Sequence, residues 1–341
     1  MISKNKYTYL AGAAVCVAAI LGSCYAFFLS PFSSKGHTTY LYIDDDDDID
    51  SVDAKIDTLG KWYTYTGFNT LVRHSQYPDH IKTGKYAVST EESTLTLFRK
   101  LKNGIQTPTA LTVPSVRTLD KLATALAKQL MADSAAIADI LHDSQTIERL
   151  GFNTQTLPSL FIPNTYEVYW NIAPSSLIMR LHREHKAFWN SGRQAKANAL
   201  KLTTNQVATL ASIVDEETAN NSEKPIIAGL YYNRLQRGML LQADPTVKYA
   251  LGDFTLRRIY NRMLTVDSPY NTYRYKGLPP GPIRIPTVAA IDAVLNMQHH
   301  DYLYMCAKED FSGTHNYAAT LAEHQQNARR YAQALNARGI R

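Results

Sequence analysis

Cysteine is nearly absent from this chain: three in 341 residues, Cys16, Cys24 and Cys306. Two lie in the first 30 residues and leave Cys306 alone in the rest, which excludes an intramolecular disulfide and a cysteine-based zinc site there. Cys306 falls in the apolar run 302–307 and reads as a small core residue of a strand. Glycine (16) and proline (14) are too few for a fibrous or largely disordered chain. A basic stripe is missing as well. Lys and Arg outnumber Asp and Glu by 36 to 30, a net charge of +6, but they are scattered, which suits a solvated surface and argues against a nucleic-acid binder. The length is enough for about two domains with separate cores.

Charge is also absent from residues 7–34, and 9–29 are almost wholly apolar. A run of roughly 20 apolar residues spans a bilayer as a helix. Lys4 and Lys6 precede it, so the positive-inside bias places residues 1–7 in the cytoplasm as a short tail, 8–30 in the membrane and the body outside. A cleaved signal peptide fits less well, because the run exceeds the usual h-region and no A-x-A site follows. Leu21-Gly22-Ser23-Cys24 resembles a lipobox, so a lipoprotein is the rival reading, although the apolar run continues past Cys24 to Leu29.

Residues 37–155 repeat a strand, a polar turn and an amphipathic helix. Strands are expected at 40–43, 86–88 and 111–113, each followed by helical spacing, at Ile49 to Leu59, Leu95 to Leu101 and Leu119 to Leu130. The third copy resembles the opening of LysM glycan-binding modules. Residues 44–48 are all Asp; an EF-hand would need Gly where Ile49 stands and Glu where Lys55 stands, so an acidic turn is expected instead.

From 156 to 200 the pattern is helical and polar, with residues 163–166 as a turn. Thr203-Thr204-Asn205-Gln206 then forms a capping box opening a helix through VATLASIVDEET. With Leu210 at 0°, Val214 falls at about 40° and Glu217 at about −20°, while Asp215 and Glu216 lie at about 140° and about 240°. Glu217 alone of the three acids continues the apolar stripe. A carboxyl held there is desolvated, which raises its pKa and keeps it available as a general acid. A second helix follows over 222–235, with Pro225 in its first turn, Gly238 as its stop and Asn233 in phase with Ile226. Residues 242–246 and 270–273 read as loops. Gly277-Leu278-Pro279-Pro280-Gly281-Pro282 cannot be regular structure, since its prolines remove donors and fix φ. Rigid, aromatic, amide-bearing loops beside a buried acid suit a saccharide groove. His315, His324 and Asp244 make a poor zinc pattern, and no metal is expected.

SIVDEET, YYNRLQRGMLLQADPTV, SPYNTY, GLPPGPI and GTHNYAATLAEH stand in an order and spacing that resembles the YceG-like endolytic murein transglycosylases, the MltG family. The likeness is strong over 205–331 and weaker upstream. It implies an α+β chain with a transmembrane helix, a LysM-like module and a mixed catalytic domain over 156–341. It also implies a lyase that cuts between N-acetylmuramic acid and N-acetylglucosamine inside a strand and leaves a 1,6-anhydro end, without a cofactor. The family's catalytic glutamate corresponds to Glu217. Asn233, Gln242, Asp244, Tyr270, Asn271 and His315 match motif positions that shape the groove. Peptidoglycan strands, the cytoplasmic membrane and peptidoglycan synthases are the implied partners. Asp215 replaces a common Glu, Glu216 a basic or polar residue, and Thr287 follows Pro286 where the family has a Pro-Gly pair. A muramidase using Asp244 as second carboxylate and a non-catalytic glycan-binding scaffold are the competing functions.

Overall fold

The computed structural model describes residues 2–256 and 258–339. Two compact units emerge: Met1–Leu111 with Gln129–Ala132 and Tyr166–Ile172, and Thr112–Lys128 with Asp133–Thr165 and Ala173–Arg341. The architecture is mixed α+β, as expected, and mostly helical. The boundary expected at 155 falls inside the second unit.

The first unit begins with helix α1 (Ile2–Cys24), continued by a π-helical turn, Tyr25–Leu29. The segment Lys6–Leu29 is long and apolar enough to cross a membrane. Strands β1 (Thr39–Ile43) and β2 (Gly84–Val88) pair antiparallel, with Leu41 opposite Tyr86. Their alternation turns Leu41, Ile43, Tyr86 and Val88 inward. Helices α2 (Ile49–Asp57), α3 (Trp62–Arg73) and α4 (Thr94–Asn103) bury Val52, Ile56, Phe68, Leu97 and Leu101 in the same core. The acidic run is a turn that ends in a helix cap. The Asp48 carboxylate accepts the Ser51 N–H at 2.8 Å, Asp47 accepts the Asp44 N–H at 2.7 Å, and the Lys55 ammonium pairs with Asp47.

All three strand–turn–helix units are present, the third as β3 (Thr109–Val113) and α5 (Leu119–Ala127). Helices α6 (Ser134–His142) and α7 (Ser144–Arg149) follow. Strand β4 (Asn164–Val168) then pairs with β3. Residues 163–166, expected as a turn, therefore lead into a strand, in which Tyr166 and Val168 alternate inward.

Helices α8 (Pro174–Phe188) and α9 (Ser191–Ala199) lead to the centre of the second unit. There α10 (Thr204–Glu217) starts at the expected Thr203–Gln206 capping box. Residues 207–214 of α10 are buried without exception, so no polar face exists and the helix is enclosed on all sides. Its neighbours are α11 (Lys224–Gln236), α12 (Asp244–Leu251) and α13 (Val288–Leu295). Strands β5 (Tyr304–Ala307) and β6 (His315–Ala318) form an antiparallel hairpin against which α14 (Leu321–Ala337) packs.

Candidate active site

The last turn of α10 carries three consecutive acids, and each meets a different environment. The Asp215 carboxylate pairs with Lys224 Nζ at 2.7 Å, the two side chains 2% and 6% exposed, and also accepts the Thr287 N–H at 2.6 Å. Glu216 accepts a fork from Arg117, Nε at 2.8 Å and Nη2 at 2.7 Å, and is met by Arg284 Nη1 at 3.1 Å. Glu217 accepts the Tyr231 hydroxyl at 2.6 Å and, among the described residues, joins no ion pair.

Enclosure of α10 corrects the argument from helical phase. Asp215 and Glu216 do not lie off the buried surface; both are deep, and both are neutralised by cations. Glu217 is set apart by joining no ion pair among the described residues and by its place on the wall of a cavity of about 340 Å³. Desolvation pushes its pKa up from 4.5 to about 7. The Tyr231 hydrogen bond opposes that shift, and the charges of Asp244 and Glu216 add to it.

Of the other residues picked from sequence, Gln242, Asp244 and His315 line the same cavity as Glu217. Asp244 is not in a loop: it is the first residue of α12, with Pro245 in the first turn, and its carboxylate accepts the Tyr273 hydroxyl at 2.6 Å. Gln242 is held at φ 54°, a left-handed conformation that costs a non-glycine residue energy, next to this cavity. His315, on β6, donates its backbone N–H to Glu223 at 2.8 Å and sets its ring Nδ1 3.2 Å from the same carboxylate.

Three further picks stand behind the lining of this cavity. Asn233 is not on the wall; its amide donates to the carbonyls of His300 at 2.6 Å and Tyr302 at 3.2 Å, bracing the segment before β5. Asn271 is fully buried and clamps its own loop through the carbonyls of Leu264 and Val266. Tyr270 packs on Tyr249 at 4.7 Å between ring centroids, against the hydrophobic core. The 277–282 loop is absent from the wall too.

Four wall or support residues escaped the sequence reading: Tyr231, Arg234, Tyr273 and Glu223. The buried Arg234 donates to the carbonyls of Leu303 at 2.6 Å and Leu241 at 2.7 Å, tying β5 to the entry of α12. Against the desolvation that would raise it, hydrogen bonds from His315 and Tyr317 hold Glu223 below the usual carboxylate range. A signal existed for two of them. Ile227, Tyr231 and Arg234 recur at i, i+4 and i+7, the buried face of α11, whereas Ile226 and Asn233 mark a half-exposed one.

His315, His324 and Asp244 all reach the cavity, yet among the described residues no three His, Cys, Asp or Glu groups gather closely enough to hold a metal ion. A carboxyl of near-neutral pKa on the wall of a polar cavity can deliver a proton and take one back.

Comparison with known proteins follows the same line. The sequence model of the YceG-like family matches residues 41–330. The endolytic murein transglycosylase of Bacillus subtilis is 39% identical over 136 residues, 40% of this chain and 37% of that protein. The endolytic murein transglycosylase of Streptococcus pneumoniae is 29% identical over 293 residues, 76% of this chain and 52% of that one. The chain thus spans about half, or less, of these curated relatives. A crystal structure of a YceG-like protein from Listeria monocytogenes aligns with a TM-score of 0.56 at 24% identity, covering 86% of this chain and 99% of that one, which shows a shared fold.

Proposed function

The chain belongs to the YceG-like family, and on that premise we propose that it is an endolytic peptidoglycan lytic transglycosylase, cutting between N-acetylmuramic acid and N-acetylglucosamine within glycan strands. One observation carries most of the weight: of three adjacent acids, Glu217 alone joins no ion pair among the described residues, faces the cavity and has its pKa pushed up to about 7. Protonated Glu217 gives its proton to the glycosidic oxygen as the C1–O bond breaks. The carboxylate formed takes the proton of the muramyl C6 hydroxyl as O6 bonds to C1, so the acid is regenerated and no water is consumed. Tyr231 holds the carboxyl in place through this cycle. Gln242, Asp244, Tyr273 and His315 offer the polar groups that bond sugar hydroxyls and amides.

Asp244 favours a second reading. It is exposed in the same cavity, where a carboxylate can hold a water for a hydrolase. Digestion of purified strands in isotopically labelled water separates the two. Fragments with 1,6-anhydro ends that borohydride cannot reduce support the lyase; label at the new anomeric carbon overturns it and makes Asp244 the base.

Residues 8–30 we assign to an uncleaved anchor in the cytoplasmic membrane, with the catalytic region outside. The continuous helix from α1 through Leu29, past Cys24, supports it. A mature chain beginning at an acylated Cys24, found by N-terminal mass analysis, would make it a lipoprotein. The strand–turn–helix of β3 and α5 is proposed as a LysM-like contact for glycan, and peptidoglycan synthases as partners of the anchored enzyme.

A further inference from the structure

We infer that Trp62, with Tyr25 and Leu29, forms an interfacial foot resting in the headgroup layer of the bilayer that α1 spans, so that the first unit is seated on the membrane instead of hanging from a tether. This rests on the anchor proposed above and goes beyond it, since an anchor alone leaves the height of the attached domain free.

The chain leaving the helix has no slack. Ser30 N–H bonds the Tyr25 carbonyl at 2.8 Å, Phe32 N–H the Glu92 carbonyl at 2.8 Å, and Ser34 N–H the Leu59 carbonyl at 2.8 Å. Pro31 and Ser33 form β-bridges with Ser93 and Gly60, and the Phe32 ring is fully buried in the first unit's core. Three residues after the apolar segment ends at Leu29, the polypeptide is therefore already inside a folded body.

That body also grips the last turn of the apolar segment itself. Helix α3 crosses it at Gly67, where a Cβ would lie 2.1 Å from the Phe27 carbonyl oxygen, a contact that a side chain forbids. At the start of α3 the Trp62 ring stands edge-on to Phe27, with centroids 6.2 Å apart. Phe27 lies two residues inside the end of the apolar segment, about 3 Å of helical rise. A ring in contact with it therefore stays close to the hydrocarbon edge over the ordinary range of helix tilt. Trp62 is 75% exposed, and Tyr25 and Leu29, which flank Phe27 on the same helical turn, are 59% and 54% exposed. Water is a poor partner for that apolar area, whereas the headgroup layer, roughly 5–8 Å deep on each side, takes an indole with its body apolar and its N–H wet.

The test uses the full chain reconstituted in phosphatidylethanolamine and phosphatidylglycerol vesicles whose acyl chains carry bromine just below the headgroups. Trp170 and Trp189 are replaced by Phe, leaving Trp62 as the sole indole. Trp62 should lose most of its emission to shallow bromines and less to bromines near the chain ends. Should that variant fold poorly, the otherwise wild-type chain carrying Trp62→Phe should lose the shallow-quenched component seen in wild type. A chain that floats with vesicles while Trp62 emission is unaffected by either lipid overturns the foot and leaves the anchor standing, with a protein partner as the cover. A chain that does not float overturns both.

Discussion

Tyr231 donates a 2.6 Å hydrogen bond to the Glu217 carboxyl, and that bond favours the charged form. Tyr231→Phe removes the donor without emptying the space, so the Glu217 pKa should rise further above about 7. A general acid works protonated, so the basic limb of the kcat/KM profile should move to higher pH, by ~0.5–1 unit. A limb that stays where it is in a folded Tyr231→Phe enzyme would remove Glu217 from the acid role. The neighbouring acids behave differently. Asp215→Asn leaves the buried Lys224 ammonium without its counter-charge, and breaking one partner of such a pair costs ~3–5 kcal/mol. Denaturant unfolding should show that loss; an Asn variant as stable as wild type would mean that the pair is not buried as described. Legibility at this scale was uneven for a physical reason. Motif and phase both point to Glu217, but phase does not separate it on an enclosed helix. The cations that set Asp215 and Glu216 apart come from Lys224 on the next helix and from Arg117 and Arg284, 99 and 68 residues away from Glu216, which spacing within one helix cannot reveal.

Elements were read best where one face is apolar. The strands and helices at β1–α2, β2–α4 and β3–α5 followed from period-2 and helical spacing, and the α10 capping box is formed as read. Residues 163–166 and 242–246, expected as a turn and a loop, instead lead into β4 and open α12; proline is at home just before a strand and in the first turn of a helix. The 277–282 loop is irregular, as its prolines require. Its glycine allows a close approach inside the second unit: a Cβ on Gly281 would sit 1.9 Å from the Gln155 carbonyl oxygen. Backbone cannot yield as a flexible side chain does. Gly281→Ala should therefore destabilise by ~1–3 kcal/mol, seen as a lowered Tm. The next residue but one, Ile283, gives its N–H to Ser212 Oγ of α10 at 3.0 Å, so α10 should be disturbed with the loop. Unchanged Tm and activity in Gly281→Ala would show that the loop is free to move off.

At the scale of the molecule, two buried groups pull stability in opposite directions with pH. Desolvation lowers the His185 pKa from 6.5 to about 4, so its unfolded form binds more protons below 6.5, and stability present above that pH is lost as pH falls toward 4. Desolvation raises Glu217 from 4.5 to about 7; here the folded form binds more protons, and stability present below 4.5 is lost as pH climbs through 7. The two slopes oppose each other between 4.5 and 6.5, where wild-type stability should change little from these groups. Glu217→Gln deletes one of them. The amide keeps the shape and cannot ionise, so the variant should match wild type near pH 4 and exceed it above pH 7 by roughly 3 kcal/mol. Strand cleavage should be abolished at every pH, since an amide has no proton to give to the leaving oxygen. A catalytic group held in an unfavourable charge state is a common source of this opposition between stability and activity. Thermal unfolding of both proteins at pH 4, 6 and 8 decides the matter. If Glu217→Gln gains nothing at pH 8, the carboxyl is not desolvated in the folded protein, and its role as a proton donor near neutral pH loses its physical basis.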